Sequence, residues 1–101
     1  MWYKRAADQG FADSQYRLGL LYKAGRGVAR SDKTAAQWWR KAAEQGHVHA
    51  QYNLGTSFQE GCGVSQSDKE AVRWYRKAGK QGFAQAQFNL GIVLENGHGG
   101  P

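Results

Sequence analysis

Three histidines, a single cysteine and a run of cations are the side chains of this 101-residue sequence best suited to chemistry. His47-x-His49 would supply two metal ligands, with Cys62 as a third. Residues two apart on a helix diverge, however, and Cys62 falls at the far end of the helix that the histidines would open. His98 sits alone in a terminal turn. Serine, histidine and aspartate all occur, but without a nucleophile elbow or a pair of buried carboxylates. Cys62, between Gly61 and Gly63, reads as an exposed loop thiol able to cross-link two chains in oxidising buffer, with no base to activate it. The glycine pairs 25/27 and 61/63 lack the preceding strand and following Lys-Ser/Thr of a phosphate loop. The expectation is no catalysis, no metal and no cofactor.

The cations carry more information. Lys69, Arg73, Arg76 and Lys80 are spaced i, i+4, i+7 and i+11, which places them on one helical face, with Glu70 to one side. Ala71, Trp74, Tyr75 and Ala78 occupy the opposite face. Thirty-six residues earlier the same positions hold Lys33, Gln37, Arg40 and Glu44, a mixed set. A solvated helix face accounts for such a strip. So does a binding surface for an acidic or carboxylate-ended segment. The net charge of +6 also admits nucleic acid. Against it, the periodicity sends the tryptophan and tyrosine rings inward, where they cannot stack on bases.

The elements that must position these residues emerge when the chain is laid on itself with a shift of 36. Trp2-Tyr3-Lys4-Arg5-Ala6-Ala7 falls on Trp38-Trp39-Arg40-Lys41-Ala42-Ala43 and on Trp74-Tyr75-Arg76-Lys77-Ala78-Gly79. Gln15-Tyr16 with Leu18-Gly19 returns as Gln51-Tyr52 with Leu54-Gly55, then as Gln87-Phe88 with Leu90-Gly91. Twelve of the fourteen glycines fall into four threefold sets, so they belong to the repeat. A gapless period of this length predicts a solenoid of helix pairs. Helix A runs from about Asp32 to Gln45, with Ala35, Trp38, Trp39 and Ala42 on one face. Ser31 is its N-cap, and Ser67 with Glu70 forms a capping box in the next unit. Gly46 and Gly82 stop helix A by entering the left-handed region. Helix B runs from about Val48 to Glu60, burying Ala50, Leu54 and Phe58. A glycine inside helix B costs about 1 kcal/mol relative to alanine. Its recurrence at 19, 55 and 91 predicts close approach of a neighbouring helix carrying a tryptophan.

The runs A-x-x-W-W-R-K-A-A-E-Q-G over 35–46, A-x-Y-N-L-G over 50–55 (loosely) and G-x-G-V over 61–64 resemble Sel-one-like repeats, the SLR family. These are relatives of tetratricopeptide repeats, and the resemblance covers essentially the whole chain. It implies an all-α, right-handed superhelical solenoid of antiparallel helix pairs, with helices A lining the concave surface. It also implies an adaptor that holds other proteins together. Some members bridge the two helices of each repeat with a disulfide, but this chain lacks those cysteines. One SLR domain is expected over 1–101. Its first unit, 1–31, lacks the start of helix A, and the second and third units follow over 32–67 and 68–101.

The reading that follows is a protein-binding module without chemistry of its own. Its groove would use Lys33, Gln37, Arg40, Lys69, Arg73, Arg76 and Lys80 to hold a protein or an acidic peptide. A bacterial inhibitor or immunity protein capping a toxin is the alternative within binding. A hydrolase of cell-wall peptides or lactams is the alternative among enzymes, and it lacks a nucleophile. The sequence contains neither a membrane-spanning run nor a signal-peptide core, so a soluble chain is expected. Two departures stand out: Thr56-Ser57 where the other units are aliphatic, and Gly79 where they have alanine. Without a polar cap, the last helix B should expose Phe88 and Ile92: either the chain is a piece of a longer SLR protein or this end pairs with another copy, and a fragment that also self-associates is expected.

Overall fold

A computed structural model describes residue 7 and residues 10–96. All regular structure among them is α-helical: α1 (Ala12–Ala24), α2 (Asp32–Glu44), α3 (Val48–Glu60), α4 (Asp68–Lys80) and α5 (Ala84–Glu95). Helices A are therefore α2 and α4, and helices B are α1, α3 and α5. Each helix packs on its neighbours in sequence, α1 on α2 through to α4 on α5. The result is an elongated stack measuring 42 × 25 × 17 Å, an all-α repeat solenoid.

Local chemistry sets the helix ends. Ser31 Oγ accepts the Thr34 N–H at 3.1 Å, and Ser67 Oγ accepts that of Glu70 at 3.2 Å. Each cap satisfies one of the donors that a helix start leaves unpaired. The reciprocal arm of the expected capping box does not form. The Ser67 N–H donates instead to the Phe58 carbonyl at 2.9 Å, which ties α4 to the end of α3. Glu70 is thereby released to pair with Arg73 at 3.3 Å. Gly46 and Gly82 follow α2 and α4 at φ +91° and +87°, as the stop signal requires.

The core is built from repeating small and aromatic positions. Ala35, Ala42, Ala50, Leu54, Ala71, Tyr75 and Ala78 are wholly buried. On α2 the expected four-residue face needs correction, because Trp38 is only partly buried. At 100° per residue it lies about 60° from Ala35, at the edge of an arc centred on Ala35, Ala36, Trp39, Ala42 and Ala43. The Lys41 ammonium covers its ring at 4.6 Å. Trp39 is the buried one, and its indole Nε1 donates to the Tyr16 carbonyl at 3.2 Å.

The interior glycines of helix B are seats for aromatic rings. A Cβ on Gly19 would overlap the Trp39 indole, and one on Gly55 would lie 2.8 Å from the Tyr75 ring. The second ring is a tyrosine, so the requirement is for an aromatic and not for tryptophan as such. Among the described residues, nothing lies within 4 Å of a Cβ on Gly91. Thr56, one of the departures, places its hydroxyl 3.1 Å from the Tyr75 hydroxyl. Ser57 is buried and donates to the Asn53 carbonyl at 3.0 Å. At the other departure, the Gly79 carbonyl accepts from Gln87 at 2.9 Å.

That last bond belongs to a series that the sequence displayed without explaining. Gln15 donates to the Ala7 carbonyl at 3.3 Å, and Gln51 to the Ala43 carbonyl at 3.2 Å. Each side-chain oxygen then accepts from the next unit. Gln45 reaches Gln15 at 2.8 Å, and Gln81 reaches Gln51 at 2.9 Å. Gln15 and Gln51 are buried, and an unpaired amide there would cost about 1–3 kcal/mol. The ladder pins adjacent units in one register.

Candidate protein-docking surfaces

Lys69, Arg73, Arg76 and Lys80 are all exposed on α4, as the helical spacing requires. With Lys77 and Val72 they line a shallow depression of about 450 Å³. Two aromatic contacts organise it: the Arg73 guanidinium stands 4.8 Å from the Trp74 ring centre, and the Lys77 ammonium 5.9 Å. Trp74 is buried beneath these two side chains and outside the lining of the depression, and its ring restrains them from below. Lys77 and Lys80 occupy the last turn, where the helix dipole favours positive charge. Glu70 intrudes further than the wheel suggested, through its pair with Arg73.

The residues named on α2 do not join this depression. Lys33 and Gln37 are exposed, while Arg40 is half-buried with its guanidinium 5.6 Å from the Phe58 ring centre. The seven candidates thus separate into a concentrated α4 strip and three dispersed α2 positions. A second cleft, of about 250 Å³, lies between α1 and α3. Leu20 and Lys23 line one side, Tyr52, Asn53, Thr56 and Glu60 the other, with Trp39 and Cys62 completing it. Its walls come from sequence-distant helices, so only the repeat's geometry could have revealed it.

The histidines have structural duties. His47 precedes α3, and its Nδ1 accepts the Ala50 N–H at 3.2 Å, a cap that Phe11 and Phe83 do not supply in the other units. Its ring stacks on Tyr16 at 4.6 Å, and its Nε2 lies 3.4 Å from Asp13. His49 meets the edge of Phe83 at 5.1 Å. No group of three potential metal ligands occurs among the described residues. His98 lies outside them. Cys62 is half-buried and unpaired with another thiol. The hydrogen bond from Arg17 holds the Asp13 carboxyl below its ordinary value, with a smaller contribution from His47 and against the effect of burial. Burial pushes the Tyr75 hydroxyl above its ordinary value, opposed by hydrogen bonds with Thr56 and Asn89. No described helix is long and apolar enough to cross a membrane.

Stacked helix pairs in register, linked unit to unit by glycine seats and a glutamine ladder, define a tetratricopeptide-like α-solenoid. The chain belongs to the Sel1 repeat family, whose model matches residues 1–11, 12–47, 48–83 and 84–101. The windows 12–47 and 48–83 each begin with α1 or α3 and close with the helix seated on its glycine. Sel1 repeats are generally protein-interaction modules and non-enzymatic scaffolds.

Solved structures agree with this assignment. A protective antigen present in uropathogenic Escherichia coli strains, which displays an SLR fold, superposes with a TM-score of 0.93 at 41% identity, covering 97% of this chain and 21% of that one. A Sel1 repeat protein from Oxalobacter formigenes gives 0.86 at 44% identity over 90% of this chain and 37% of that one. Cysteine rich protein B of Helicobacter pylori gives 0.84 at 27% identity over 88% and 67%. The chain therefore spans about a fifth and just over a third of the first two. No curated protein matches it.

Proposed function

We propose that this chain is an adaptor module that holds an acidic segment of a partner protein along the exposed cationic face of α4. The observation that carries the reading is the depression lined by Lys69, Arg73, Arg76, Lys77 and Lys80 around Val72. Five cations share one helix face, where like charges spaced i, i+4 cost a few tenths of a kcal/mol per pair. An anionic ligand relieves that repulsion and gains charge-assisted hydrogen bonds, strongest to the arginine forks. The reading rests on the charge of α4 and not on the curvature of the stack.

Calorimetry with an acidic peptide tests it. Wild-type binding should weaken as salt rises from about 0.05 to 0.5 M, since exposed charges are screened over that range. Arg73→Glu/Arg76→Glu should abolish binding while the circular dichroism spectrum persists. Equal affinity of the charge-reversed and wild-type chains would leave α4 as a solvated face.

A further inference from the structure

The repeat allows one space to be compared in two successive units. Between α3 and α5 it is bridged by polar side chains that converge on the Tyr75 hydroxyl. Gln59 accepts from that hydroxyl at 2.6 Å, and Thr56 lies 3.1 Å from it. The Asn89 amide reaches it at 3.5 Å and the Tyr52 hydroxyl at 3.1 Å. Thirty-six residues earlier, the places of Tyr75, Gln59, Thr56 and Asn89 are taken by Trp39, Lys23, Leu20 and Asn53. Trp39 has no hydroxyl to gather them, and its indole N–H is spent on the Tyr16 carbonyl. Lys23 pairs instead with Asp32 at 3.2 Å. The unbridged space is the cleft of about 250 Å³ between α1 and α3. Two of its polar groups are left over. Among the described residues, the Asn53 side-chain amide makes no hydrogen bond, and the Glu60 carboxylate makes neither hydrogen bond nor ion pair.

We infer that this cleft receives an extended segment of a partner protein that carries a lysine or arginine. An asparagine amide offers donors and an acceptor, the complement of a peptide group's own C=O and N–H. Glu60 stands seven residues further along α3, about 10.5 Å by helical rise. Three steps of extended chain cover about 10 Å. A peptide group held by Asn53 therefore brings the side chain three residues later to Glu60, where a cation answers the carboxylate. Side chains of an extended chain alternate, so the residue one step after the held group projects to the same side as the cation. There it meets Tyr52 and Leu20, the latter 38% exposed, and an apolar side chain covers both. The segment thus reads apolar-x-basic. The net charge of +6 opposes such a ligand only at long range, since charges beyond about 10 Å are screened at 0.1 M salt.

The cleft shares no lining residue with the α4 depression, so the inference is independent of the acidic-segment reading. The isotope-labelled 101-residue chain is titrated with the end-blocked peptide Ala-Leu-Ala-Lys-Ala and followed by amide NMR. The Asn53 side-chain amide should shift with backbone amides of α1 and α3, while Lys69, Arg73 and Lys80 stay still. A contact well below the standard interface size implies a Kd of about 1 mM. Norleucine in place of the peptide's lysine should weaken binding about three- to fivefold, the worth of one exposed ion pair. Glu60→Gln should cost the lysine peptide the same factor and leave the norleucine peptide unchanged. Glu44→Gln, the same loss of charge at the far end of α2, should change neither. Asn53→Ala should weaken both peptides. The Arg73→Glu/Arg76→Glu chain should take the lysine peptide as wild type does, and Glu60→Gln should leave acidic-peptide binding intact. Absence of any shift at about 10 mM peptide overturns the inference. So do shifts centred on α4, or a Glu60→Gln chain that still prefers lysine to norleucine.

Discussion

Tyr75 shows how much a single side chain can organise in a repeat. Its ring fills the seat at Gly55, while its hydroxyl donates to Gln59 at 2.6 Å and lies 3.1 Å from Thr56. Asn89 of α5 reaches the same oxygen at 3.5 Å, so three helices meet on one atom. Burial raises its pKa above the ordinary value of 10. A raised folded-state pKa favours the folded chain fully below the unfolded value, and the benefit is lost as pH rises through the raised one. Unfolding free energy measured between about pH 9 and 12 should therefore fall more steeply for wild type than for Tyr75→Phe, which has no phenol to ionise there. Parallel curves for the two chains would show that the hydroxyl titrates as freely when folded as when unfolded.

At the scale of the helix, α2 displays two adjacent tryptophans with different roles. Trp39 is 5% exposed and anchored to Tyr16, while Trp38 stands at the edge of the buried arc. Trp39→Ala should cost about 3–5 kcal/mol, because a void opens between α1 and α2 and the Tyr16 carbonyl loses its donor. Trp38→Ala should cost no more than half as much, since solvent already reaches that ring. Urea titration of both variants reads the difference directly, and equal losses would contradict the placement of the buried arc. Against a total stability of about 5–15 kcal/mol, the first change removes a large share.

Across the described helices, packing is dominated by sequence neighbours, so stability should behave largely as a chain of local terms. Trp39→Ala opens the α1–α2 contact but touches neither α4 nor α5. Amide exchange in that variant should accelerate most in α1 and α2, and least in α4 and α5. Uniform acceleration in every helix would mean that the stack unfolds as a single cooperative unit. The glutamine ladder is the device most able to produce that outcome, since Gln45–Gln15 and Gln81–Gln51 couple units across 30 residues of sequence.

What the sequence determined alone is everything that local periodicity encodes. The 36-residue shift, the serine caps, the glycine stops and the i, i+3, i+4 pattern place α2 from Asp32 and α3 over Val48–Glu60, because these signals act within one or two helical turns. The α4 cationic face was legible for the same reason. The recurrence of Gly19 and Gly55 inside helices also announced a close neighbour, since an unexplained propensity cost must be repaid by packing. Only the tertiary structure decided which ring fills each seat, that Trp39 and not Trp38 is the deep residue, and that Glu70 leaves its cap for Arg73. It alone separated the α2 candidates from the α4 strip and opened the cleft between α1 and α3. These outcomes depend on how far one helix is rotated and shifted against the next. Side chains about 20–35 positions apart in sequence settle that geometry, where hydrophobic periodicity sees only the face and not its partner.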